Sequence, residues 1–187
     1  LWADSVPATR TFSPAQLDGL PGPAQRFLRH AIQDGVPLAS SVRLEMHGEI
    51  KLKGWVPFRA EQAISHPRGF VWSARAGAGV PILGYDRLLG TEGEMNWKVW
   101  GLIPIMTASG PDVSRSAAGR MAGELCWVPS VLLTDGVEWG TPDGEWQPVR
   151  VPTALGPVAI RLRIDPSGKL RECRIERWKD VGGGLFT

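Results

Sequence analysis

The sequence predicts an α+β fold: a single large curved antiparallel β-sheet, half-barrel-like, packed against N-terminal helices and one inserted helix. Three observations predict it. Apolar residues recur at helical spacing before residue 40, and at every second position from residue 41 onward. The strand pattern is then broken once, by the small-residue stretch GRMAGEL (119–125). No βαβ rhythm runs through the chain, so the pairing is expected to be antiparallel. At 187 residues the chain suits one domain with a real core. Its parts are a helical region (1–38), a first strand group (41–110), an inserted helix (112–133) and a second strand group (137–179).

In TFSPAQLDGLPG, Ser13 can cap a short helix with Pro14 at its first position. GPAQRFLRHAIQDG repeats the pattern, with Phe27, Leu28, Ala31 and Ile32 on one face and Gly35 as the stop. From residue 41 the period is two: Val42, Leu44 and Met46 alternate with Arg43, Glu45 and His47. FRAEQAIS (58–65) and GFVWSARAG (69–77) continue the meander, with Trp55 in the turn between the first two strands, exposed or docked. Two more strands are expected around TEG (91–93). VWGLIPIM (99–106) loses its alternation, as a strand buried on both faces or a segment plugging a cavity would.

The helix over about Ser114 to Trp127 places Met121 and Leu125 at i, i+4 beside Ala118, a core face. Gly119 and Gly123 recur at four, and each costs about 1 kcal/mol against Ala in a helix interior. Close approach to another backbone or to a Trp is the expected return. Pro129 ends the helix. Strands follow at 137–139, 145–151, 157–165 and 169–178. With DPSG (165–168) as a four-residue loop, Val158 would face Ile175, Ile160 would face Cys173 and Arg161 would face Glu172.

Composition excludes several functions. The net charge of +2 and the scattered basic residues offer no platform for nucleic acid. The longest apolar run is too short to span a bilayer, so no transmembrane segment is expected. His30, His47 and His66 lie on different elements with no ligand spacing, and Cys126 and Cys173 show no C-x-x-C pattern, so no metal or cofactor is expected. The two cysteines are expected as separate thiols rather than a disulfide. ARAGAGVPILG (74–84) lacks both the Lys-Ser/Thr of a phosphate loop and the third glycine of a dinucleotide fingerprint. No G-x-S-x-G elbow is present.

Nine Trp against one Tyr is the unusual feature. Trp suits both cores and pockets for apolar ligands. Candidate lining residues are Trp72, Trp97, Trp100, Met106, Met121 and Trp127, all of which also suit a core. Glu124 is the one carboxylate in GRMAGELCWVPSVLL (119–133). It is either half of a solvated i, i+4 pair with Arg120 or a polar group at the rim of a cavity. Asp86 or Glu92 would be needed beside it for paired-acid chemistry.

GPAQRFLRHAI, FRAEQAISHPRGFVWSARAG, YDRLLGTEGEM and GRMAGELCWVPSVLL together resemble a bacterial family of unknown function over nearly the whole chain. The resemblance implies an arginine-to-glutamate helix followed by aromatic-x-Pro and a Trp strand. It also implies an N-terminal membrane segment in some members and a C-terminus running on past VGGGLFT. The element order resembles the lipoprotein-carrier half-barrel (LolA/LppX-like), a fold that holds acyl chains between sheet and helices. The leading expectation is a non-enzymatic domain binding a lipid-like or other apolar ligand between sheet and helices. The alternatives are an enzyme using Glu124 as general acid or base, and an interaction module of a larger envelope protein attached through LWADSV and VGGGLFT. The sequence assigns neither oligomeric state nor compartment, cell envelope or cytoplasm.

Overall fold

A computed structural model describes residues 8–51, 54–77, 79–179 and 184–186, with 177–179 and 184–186 described by backbone alone; LWADSV and residues 181–183 lie outside it. Pro14–Leu17 forms a 3-10 turn, and the Gln16 side chain accepts the Ser13 N–H at 2.9 Å. Helix α1 (Gly22–Ala31) buries Phe27 and Leu28 and leaves Arg29 and His30 in its last turn.

Six strands then run as an unbroken antiparallel meander: β1 (Ser41–Lys51), β2 (Trp55–Ser65), β3 (Gly69–Ala76), β4 (Ile82–Leu89), β5 (Glu92–Val99) and β6 (Ile103–Ser109). The period-2 pattern decides their faces. One cross-strand row on the inner face runs Val42, Ile64, Phe70, Leu88, Gly93, and the next runs Leu44, Gln62, Trp72, Asp86, Met95. Helix α2 (Pro111–Glu124) lies against this face and presents Ala118 and Met121 to the core, with Leu125 following in a 3-10 turn (Leu125–Trp127). Gly93 permits the contact. A Cβ there would stand 2.5 Å from the Ser114 Cα, while the Gly93 N–H donates to Ser114 Oγ at 2.8 Å.

A third 3-10 turn (Pro129–Leu133) follows before the remaining strands begin. These are β7 (Glu138–Trp139), β8 (Trp146–Val151), β9 (Val158–Ile164) and β10 (Leu170–Ile175), paired in the order β10-β9-β8-β7, then the ribbon β11 (Arg177–Lys179) and β12 (Gly184–Phe186). The fold is α+β with a large antiparallel sheet, not closed into a barrel, and the second strand group forms its own sheet instead of extending the first. Both sheets share one buried cluster with the helices, in which Phe70, Met121, Val149 and Ile160 all take part. Gly123 admits β10 to α2: a Cβ would lie 3.1 Å from Ile175 Cδ1.

Three expectations change. The helix stops at Glu124 rather than Trp127, because a 3-10 turn (Leu125–Trp127) replaces its last residues before Pro129. VWGLIPIM is neither a doubly buried strand nor a plug. It ends β5 and forms the sheet's edge strand, with Ile103, Ile105 and Met106 all exposed. The β9–β10 register also differs from the expected one. Asp165 N–H bonds the Lys169 carbonyl at 3.0 Å across a loop of 166–168, and a bulge then lets Arg171 reach Asp165 Oδ2 at 2.7 Å. Past the bulge Cys173 faces Leu162, Ile175 faces Ile160, and Glu172 faces Arg163. The bulge keeps apolar opposite apolar after a shorter loop, a solution that alternation alone does not reveal. The hydrogen bond from Ser167 is the main cause that holds the Asp165 carboxyl down at about 2, with Lys169 N–H and Arg171 adding to it.

His66, in the β2–β3 turn, joins the two sheets through a bond from Nε2–H to the Pro152 carbonyl at 2.8 Å. Burial pushes its pKa below the ordinary 6.5, although the backbone bond works the other way. The unfolded chain therefore takes up this proton before the folded one does. Stability conferred by neutral His66 is complete above about pH 6.5 and is lost as pH falls through 6.5 toward the lower folded value. Urea titrations over this window should show a falling unfolding free energy, and His66→Gln should flatten that slope. An unchanged slope in the variant would place the effect elsewhere.

Candidate functional site

The inner face of the sheet carries two polar residues in an apolar row, Gln62 and Asp86, on either side of Trp72. Helix α2 supplies their partners. Arg120 Nη1 reaches Asp86 Oδ2 at 2.9 Å and Arg120 Nε reaches Glu124 Oε1 at 2.8 Å. Gln62 Nε2 donates to Glu124 Oε2 at 2.6 Å, and Trp97 Nε1 donates to Asp86 Oδ1 at 3.0 Å. The Arg120 guanidinium lies 4.8 Å from the Phe70 ring centroid and 5.0 Å from that of Trp72. The result is a clamp from β2 through α2 to β4 and β5, with the Arg120 and Glu124 side chains only 17% exposed. The planar guanidinium suits it, since it pairs two carboxylates at once and stacks on rings.

The same residues show what Glu124 does here. Both of its oxygens are engaged, and it lines neither the concavity on the outer face of the six-stranded sheet nor the smaller one between the β4–β5 turn and the start of α2. It positions α2 on the sheet. Gln62 Oε1 is buried without a hydrogen-bond partner among the described residues, the one unbalanced polar atom in the clamp.

The seven residues singled out in the sequence separate into three places. Trp72, Trp97, Met121 and Glu124 meet at or beside the clamp, with the Trp72 and Trp97 rings 5.6 Å apart. Trp100 and Met106 stand exposed on the β5–β6 hairpin, and Trp127 is exposed beyond α2. The space between sheet and helices is occupied by buried side chains, Phe70 and Met121 among them. Cys126 and Cys173 are both free thiols; burial raises the pKa of each, that of Cys173 to about 11. Neither is poised as a nucleophile at neutral pH. Among the described residues no group of three His, Cys, Asp or Glu could hold a metal ion.

The larger concavity lies on the opposite, outer face of the six-stranded sheet, with a volume of about 1200 Å³. Pairing sets its lining in rows. The row Arg43, Ala63, Val71 runs on to Arg87 and Glu94 outside the concavity, and the next row, Glu45, Glu61, Ser73, Tyr85, Asn96, balances it: Arg43 pairs with Glu61 at 2.8 Å, and Glu94 accepts from both Arg87 and Tyr85. The Tyr85 bond, followed by Arg87, holds the Glu94 carboxyl below its ordinary range. The row nearer the β1–β2, β3–β4 and β5–β6 turns is different. It runs His47, Arg59, Arg75, Leu83, Lys98 and contains no acid. Arg59 directly opposes Arg75, an arrangement that costs stability.

Alternation in the sequence marks each of these cations as outward-facing. Their alignment in one row was not legible, because it depends on the register of four strand pairs. Asp86 was likewise visible as a residue but not as a neighbour of Arg120, which lies 34 positions away.

The model for a family of unknown function, DUF6544, matches residues 10–186, and the chain belongs to that family. No curated protein and no solved structure matches it, so the likeness to lipoprotein-carrier half-barrels rests on element order alone.

Proposed function

We propose that this DUF6544 domain is a non-enzymatic binding domain that takes an anionic, lipid-like ligand on the outer face of its six-stranded sheet. The observation that carries the reading is the row His47, Arg59, Arg75, Leu83, Lys98 at the wall of the concavity, where Arg59 faces Arg75 and no acid lies within the row. The acids of the concavity, Glu45 and Glu61, stand in the next row, with Glu61 already paired to Arg43. Unbalanced cations in a concave site cost folding energy and attract an anion, with two arginines suited to grip a phosphate or carboxylate through paired N–H donors. Val71, Ala63 and Leu83 supply a small apolar floor beside them. The clamp on the inner face serves this site indirectly, by holding α2 and the strands in one arrangement.

The reading is tested by calorimetric titration with two soluble short-chain lipids, dihexanoyl phosphatidylglycerol and dihexanoyl phosphatidylcholine. The anionic lipid should bind and the zwitterionic one should bind far more weakly. Arg75→Glu should weaken binding by about tenfold or more while leaving the thermal midpoint unchanged or raised, because it removes the Arg59–Arg75 repulsion. Equal binding of both lipids, or none, rejects the proposal, as does full binding by Arg75→Glu.

A further inference from the structure

Three hairpin tips share one end of the six-stranded sheet. The register closes β1–β2 at Lys51 and Trp55, β3–β4 at Ala76 and Ile82, and β5–β6 at Val99 and Ile103. The last two are neighbours, since Ile82 pairs with Val99 and the Trp100 N–H donates to the Pro81 carbonyl at 2.8 Å. Each tip holds apolar side chains out in water: Trp55 is 65% exposed, Val80 53%, Trp100 56%, Leu102 79% and Ile103 54%. Isolated exposed apolar residues need no explanation, but a line of them across three separate turns does.

Trp100 adds an independent sign. It is the only non-glycine at positive φ among the described residues, at 52°, followed by Gly101 at 73°. The turn closes with Leu102 N–H to the Val99 carbonyl at 3.0 Å. Positive φ at both central positions is the requirement of a type I′ turn, which favours Asn-Gly. A bulky aromatic there is held against its backbone preference and points away from the protein, as strained residues at contact sites often are.

We propose that this rim docks on an anionic lipid surface, with Trp55, Trp100 and Leu102 seated at the boundary between headgroups and acyl chains. Trp is the side chain that favours that boundary, having an apolar body and one polar N–H. Lys51 Nζ lies 5.9 Å from the Trp55 ring, and Arg59, Arg75 and Lys98 stand directly behind the tips, where phosphate headgroups would be. Among the described outward-facing residues of this end, Glu49 is the one acid against those four cations. Strand addition by a second copy along β6 is disfavoured, because Pro104 offers no N–H and the bulge at Ile105 interrupts the ladder. No helix among the described residues is long and apolar enough to cross a membrane, and insertion of three tips makes a reversible, peripheral contact.

This docking does not rest on ligand binding in the groove, and the test separates the two. The full chain is sedimented with phosphatidylcholine vesicles with and without phosphatidylglycerol. Wild type should partition onto the anionic vesicles and be released by salt. Trp100→Asn and Leu102→Asp should each lower partitioning by about tenfold, the loss expected for one large apolar group. Trp100→Asn should at the same time keep or raise the thermal midpoint, since Asn suits the turn, and both variants should bind short-chain phosphatidylglycerol as wild type does. No partitioning by wild type, or undiminished partitioning by both variants, overturns the proposal. So does concentration-dependent self-association that Leu102→Asp abolishes, which would make the rim a contact between copies.

Discussion

Arg120→Met should be the most damaging single change at the clamp, costing about 2–4 kcal/mol of folding stability. The variant leaves Asp86 and Glu124 without the cation that joins them, on side chains less than one-fifth exposed. Complete burial of an orphaned carboxylate would cost more, and partial solvent access lowers the figure. For a chain of this length the loss corresponds to a thermal midpoint lower by on the order of 10 °C. Arg120→Lys should fall between, keeping the charge but losing the second carboxylate contact and the stack on Phe70 and Trp72. Glu124→Gln should cost least, because an amide oxygen still accepts from Arg120. Urea titration of the three variants checks this order, and an Arg120→Met protein as stable as wild type would contradict the clamp.

Gly84→Ala should cost roughly 1–3 kcal/mol, although it adds a single methyl group to a strand. The added Cβ would stand 2.4 Å from the Asn96 carbonyl oxygen and 2.5 Å from the Trp97 ring. The backbone contact cannot relax without opening the β4–β5 ladder, so the ring must move as well. Trp97 would then leave Asp86 and its place beside Trp72. A thermal melt reports the stability loss, and a red shift in Trp emission reports exposure of the ring. A variant with wild-type midpoint and emission would show that the ring is not seated as described. Combined with Arg120→Met, the change should be less than additive, since both act on Asp86.

Much of the fold was legible because it depends on local rules. Val42, Leu44 and Met46 alternate, so they face one way whatever they pack against. Ala118, Met121 and Leu125 share a stripe, and all three are buried. Edge and centre were not legible. VWGLIPIM reads as a buried run because a doubly apolar strand suits an interior, yet β6 is exposed at the sheet's edge. Nothing within those eight residues states that no strand follows on their far side. The β9–β10 register failed for a related reason: Asp165 closes its loop through side-chain bonds to Ser167, Lys169 and Arg171, and the bulge this produces has no periodic signature.

By itself, then, the sequence determined the class, the antiparallel strand order up to residue 99, the inward and outward sets on the first three strands, and the close packing of Gly123, although its neighbour is the Ile175 side chain rather than a backbone or a Trp. These follow from periods of 2 and 3.6 and from the lack of a side chain, which act over a few residues. Tertiary structure alone decided that Asp86 meets Arg120, that Arg59, Arg75 and Lys98 stand in one row, and that Trp55, Val80 and Trp100 share one rim. Each is a coincidence of position between segments tens of residues apart. Such coincidences are set by how many residues each hairpin spends in its turn, and one residue more or fewer would move every partner to the opposite face.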